Sequence, residues 1–143
     1  MRVTVGMAMA GVVLGAAACS DSGPSADSFL GTWSATQMEF TRTANPAETV
    51  EIIGDGATFK ITFAADSTWQ AVLTAPGMQP DTSSGTWAAS IDVLTIVTTG
   101  MSGEQQFDYV LSGTALTLSG ASAEWDFGSG DEAATLSMTL TKQ

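Results

Sequence analysis

The chain has no histidine, a single cysteine, and only four Lys and Arg in 143 residues. Without histidine it lacks the commonest general base and the commonest metal ligand. One cysteine cannot form an intramolecular disulfide. Four cations cannot build the basic stripe that nucleic acid demands, so no nucleic-acid partner is expected. Nor can they hold a folded surface against anionic lipid. No stretch after the first eighteen residues shows helical spacing with caps. What the chain does have is acid and hydroxyl. Fifteen Asp and Glu give a net charge of −11, which speaks to solubility and not to fold. The length predicts one domain.

The first residues read as an address. Arg2 precedes an apolar, small-residue run over residues 3–18, with Val12, Val13 and Leu14 at its centre. That run is short for a membrane span and suits an export signal. It ends in Leu14-Gly15-Ala16-Ala17-Ala18-Cys19, which resembles the lipobox of bacterial lipoproteins. Ala16 stands where a large aliphatic residue is usual, and Leu14 lies further back. The resemblance implies cleavage after residue 18 and acylation of Cys19. A plain Ala-x-Ala cleavage site that leaves a free thiol is the alternative. Two or more acyl chains anchor stably where one does not. The residue after the cysteine is Ser20 and not Asp, which implies the periplasmic face of the outer membrane in a bacterium with two membranes. Residues 19–28 then read as a lipidated cysteine and a polar tether spanning roughly 15–20 Å.

From residue 29 onward the pattern is strict alternation. Trp33, Ala35 and Gln37 alternate with Ser34 and Thr36. Phe59, Ile61 and Phe63 alternate with Thr58, Lys60 and Thr62. Trp69, Ala71 and Leu73 oppose Thr68, Gln70 and Thr74. Gly85, Trp87 and Ala89, a corner at Asp92, then Leu94 and Ile96 form a hairpin signature. Phe107, Tyr109 and Leu111 share a face, as do Leu116 and Leu118, and finally Leu136, Met138 and Leu140. Residues 120–132 read as a long acidic connection containing Trp125 and Phe127. One apolar and one Ser/Thr face per strand predicts an all-β fold with an antiparallel sheet, buried on one side. Eight strands, or up to ten, joined by short turns bury that face by closing into an up-and-down barrel. A two-sheet sandwich fits the same pattern.

The order of short motifs resembles the bacterial lipocalin-like domain found on many lipoproteins. The motifs are Gly31-Thr32-Trp33, Ile61-Thr62-Phe63 with Asp66-Ser67-Thr68-Trp69, Gly85-Thr86-Trp87 with Leu94-Thr95-Ile96, and Leu111-Ser112-Gly113 with Leu116-Thr117-Leu118. The resemblance covers residues 29–143 and implies an eight-stranded barrel in which Trp33 closes one end. In the lipocalins proper an arginine near the last strand covers that tryptophan; this chain offers Lys142. They also carry a helix after the barrel, whereas this sequence ends at Gln143.

Nothing in the residues points to catalysis. No histidine activates a serine, and a carboxylate pair drawn from Glu39, Asp108 and Glu124 has no supporting pattern. Glu124, Asp126, Asp131 and Glu132 match no calcium-loop spacing and read as solvated acid. No enzyme activity, metal or cofactor is expected. The inward aromatics Phe59, Phe63, Trp69, Trp87, Phe107 and Tyr109 would line a pocket for a small hydrophobic ligand, or fill the core. A barrel of eight strands lies at the boundary between those outcomes. Two functions follow: a membrane-tethered, monomeric binding module, or an envelope interaction protein with a filled interior.

Overall fold

The structure, a computed structural model, describes residues 24–143. The expected export signal and Cys19 lie outside the described residues. Among the described residues a 3-10 turn, Ala26–Ser28, precedes nine strands. These are β1 (Gly31–Arg42), β2 (Thr49–Glu51), β3 (Thr58–Phe63), β4 (Thr68–Thr74), β5 (Asp81–Ala89), β6 (Val93–Thr98), β7 (Gln105–Ser112), β8 (Ala115–Asp126) and β9 (Asp131–Lys142). All pairings are antiparallel, and each strand from β3 to β8 pairs with its successor. Strand β1 pairs with both β3 and β9, so eight strands close into a barrel. Closure removes the two open edges that a meander would otherwise expose. The ninth strand, β2, adds to the far half of β1 outside the closed ring.

Alternation explains the inside. Ile61, Phe63, Trp69, Ala71, Trp87, Leu94, Ile96, Phe107, Tyr109, Leu116, Leu118, Leu136, Met138 and Leu140 are all buried in one cluster. The Gly85–Trp87 hairpin pairs as its pattern predicts, with Trp87 opposite Ile96 and Ala89 opposite Leu94.

Two bulges change the parity. In β1 the register skips between Ala35 and Gln37. One extra residue flips every later side chain to the opposite face. Gln37, expected beside Trp33 on the inner face, is therefore exposed, while Met38 and Phe40 are buried. The second bulge lies between Leu118 and Ala121 in β8. Gly120 sits there with φ +85°, a backbone that favours glycine. Beyond it, Ala121 is buried and Ala123 and Trp125 pack against the core. Residues 120–132 are thus not a loose connection. They complete a β8–β9 hairpin that runs to Asp126 opposite Asp131.

Candidate functional site

The two ends of the barrel differ. One end is plugged. Phe29, just after the 3-10 turn, is fully buried. Its ring meets Tyr109 at 4.9 Å edge-on, Trp87 at 5.7 Å and Phe63 at 6.3 Å between centroids. Phe63 and Trp87 touch at 5.2 Å. Edge-on and tilted pairs of this kind add attraction beyond the area they bury. Trp33 is fully buried, and its indole N–H donates to the Phe29 carbonyl at 2.7 Å. Lys142 holds its ammonium 5.4 Å from the Trp33 ring centroid and donates to the Ser28 carbonyl at 3.4 Å.

The polar atoms of these aromatics are satisfied locally. Trp69 Nε1 donates to the Val97 carbonyl and Trp87 Nε1 to the Ala64 carbonyl, each at 3.2 Å. The Tyr109 phenol faces the carbonyls of Ser90 at 2.6 Å and Ile91 at 3.1 Å. Burial, then the charge of Asp92, holds this phenol above its ordinary range.

The other end is partly open. On one side of it lies the connection after β2, in which Ile52 and Ala57 are buried in the core cluster. Glu51 pins that connection. Its carboxylate accepts the backbone N–H groups of Met38 at 2.9 Å, Ile53 at 2.9 Å and Gly54 at 2.6 Å. Those bonds, Met38 foremost, hold its carboxyl below the usual range. Phe40 stacks on Trp125 with 4.2 Å between ring centroids. Arg42 joins Glu48 and Glu132, both at 2.5 Å, and lies 5.9 Å from the Phe127 ring centroid.

On the opposite side the wall splits. Strand β7 pairs with β8 only as far as Asp108 opposite Ser119. Past Gly120, β8 continues with β9 alone. A single side-chain bond crosses the split, from Gln105 Nε2 to the Ser122 carbonyl at 3.1 Å. Here lies a cleft of about 680 Å³. Its floor is Phe40, Ile96 and Leu136, all inward-facing and buried. Ala123 and the β6–β7 loop from Met101 to Glu104 form the sides, and Glu124 stands on the rim. A smaller cleft of about 430 Å³ shares Glu104, Gln105 and Ser122 with it.

The aromatics singled out in the sequence stand elsewhere. Phe63, Trp87 and Tyr109 meet around Phe29. Trp69 and Phe107 are buried in the same core, and Phe59 packs against it half-buried. None of the six lines the 680 Å³ cleft. The carboxylates considered for catalysis do not converge into a pair that the fold isolates. Asp108 and Glu124 are exposed, and Glu39 is half-buried. Two of the four late acids serve the β8–β9 turn. Asp126 accepts the N–H groups of Gly128 at 2.7 Å and Gly130 at 2.9 Å, while Glu132 takes Ser129 and Arg42.

Alternation did not single out Phe40 and Met101, nor the plug residue Phe29. The signal was present in part. Leu136 and Ile96 were inward by period two, and Gly120 marks the bulge where the wall divides. No protein-family model matches the chain, and no curated protein matches it.

Proposed function

We propose that this is a lipocalin-like binding protein of the cell envelope. It is non-enzymatic, anchored through acylated Cys19, and it takes a small hydrophobic ligand at the open end of the barrel. The observation that carries this reading is the cleft. Its volume of about 680 Å³ exceeds the lower bound of about 300 Å³ for usual ligand sites. It reaches down to buried apolar side chains instead of stopping at a polar surface. Large apolar floors with a few polar groups at the edge are the usual form of such sites.

The anchor rests on the lipobox-like run ending at Cys19 and on the tether behind it. The outer-membrane address rests on Ser20. The lipocalin-like assignment draws support from the closed barrel, from Trp33 at the plugged end, and from Lys142 above it. The second reading, an interaction protein with a filled interior, draws on the Phe29 cluster, which leaves no room at its end.

Native mass spectrometry of the full acylated chain extracted from the envelope tests the proposal. The expected result is a retained small apolar molecule. Empty protein, together with no change in tryptophan emission on titration with medium-chain alcohols, would favour the filled-interior reading. Globomycin-type inhibition of lipoprotein processing tests the anchor separately, through retention of the uncleaved precursor.

A further inference from the structure

We infer that the cleft selects amphiphiles with a cationic head and disfavours anionic ones such as fatty acids. This rests on the reading that the cleft binds a small apolar molecule, and it goes further by fixing the head group. The ionisable side chains among the lining residues are Glu104 and Glu124, both exposed at the rim. Glu104 is steadied there by Gln106 Nε2 at 2.8 Å. The remaining polar lining, Thr98, Ser102, Gln105 and Ser122, is neutral.

Among the described residues no Lys or Arg lines the cleft, and few could reach it. Arg42 is engaged by Glu48 and Glu132. Lys60 is exposed on β3, away from the split wall, and Lys142 sits over Trp33 at the opposite end. An alkyl chain laid on Phe40, Ile96 and Leu136 would bring its head to that rim. A carboxylate head would meet two like charges and no partner. An ammonium head would meet two opposite charges.

Binding to the purified full chain can be measured by equilibrium dialysis with decyltrimethylammonium, decanol and decanoate, each below its micelle concentration. Two rim charges predict that the cation binds about tenfold or more tighter than the anion at low ionic strength, with the alcohol between them. That ratio should shrink toward one in about 0.5 M salt, because exposed charges are screened. In E104Q/E124Q the ratio should fall toward one while decanol affinity is unchanged. Removing two acids from the plugged end, D27N/D92N, should leave the ratio near the unmodified value, which separates the rim from the overall negative charge. Equal binding of all three probes, tightest binding of decanoate, or an equal effect of the two double variants would overturn the inference and leave the binding reading standing. Failure of all three probes to bind would overturn the binding reading itself.

Discussion

Phe29 carries more of this fold than its position before the first strand suggests. Replacing it with alanine removes a fully buried ring that touches Phe63, Trp87 and Tyr109. The ring lies between side chains from β3, β5 and β7, so no single strand can move to fill the space. Core Phe→Ala changes cost about 3–5 kcal/mol when the cavity cannot collapse, and this site belongs at the upper end. Against a total stability of about 5–15 kcal/mol, that is a large fraction. For a domain of this size it corresponds to a fall in Tm of roughly 10–20 °C. Thermal unfolding of the full chain followed by circular dichroism reads it directly. Tryptophan emission should also shift to the red as water reaches Trp87 beside the vacated space. A fall in Tm under about 3 °C with unchanged emission would show that Phe29 does not plug the barrel.

Other consequences follow from particular contacts. A Cβ at Gly85 would sit 1.8 Å from the Val97 carbonyl oxygen, beside the point where Trp69 Nε1 bonds that same oxygen. Gly85→Ala should therefore cost more than about 3 kcal/mol or abolish folding, and a chemical denaturation midpoint close to the parent's would refute it. Tyr109 is the sole tyrosine, so its titration at 295 nm is unambiguous. Its phenol ionises above the ordinary 10.0 in the folded state, so its contribution is complete below about pH 10 and is lost as pH rises through the folded value. Tyr109→Phe should flatten that alkaline loss, and a parent phenol titrating at its ordinary value would contradict the burial argument. Glu51 shifts in the opposite direction. Its stabilisation is present above the ordinary carboxylate range and lost as pH falls through the lowered folded value, so Glu51→Gln should lower Tm at pH 7 and narrow the gap at pH 3. An equal deficit at both pH values would remove Glu51 from that role.

Much of the barrel was legible because period two is a direct image of burial. Ile61, Phe63, Trp87, Ile96, Tyr109 and Leu140 point inward as their spacing requires. Alternation failed where the chain gains a residue. The bulge after Ala35 moved Gln37 out and Met38 and Phe40 in, and the bulge at Gly120 hid a strand inside what read as acidic loop. Nothing local marks the extra residue in β1, and Gly120 reads equally well as a turn, so it is the partner strand β9 that identifies both bulges. The cleft depends on a further quantity absent from local pattern. Strand β8 is longer than β7, so one neighbour runs out while the other continues. The packed half was foreseeable as a set of aromatics, but not as a plug, because Phe29 lies outside any strand.

On the proposed reading, the split between β7 and β8 opens onto a working binding site. Ala123 lies on the cleft wall and packs against the core, so Ala123→Trp would fill the cleft from inside. Decanol binding by the full-length variant, measured beside the parent, decides whether the ligand sits in this cleft. The expected result is at least a tenfold loss of affinity with the fold retained. Undiminished binding in a folded Ala123→Trp protein would contradict it and place any ligand elsewhere.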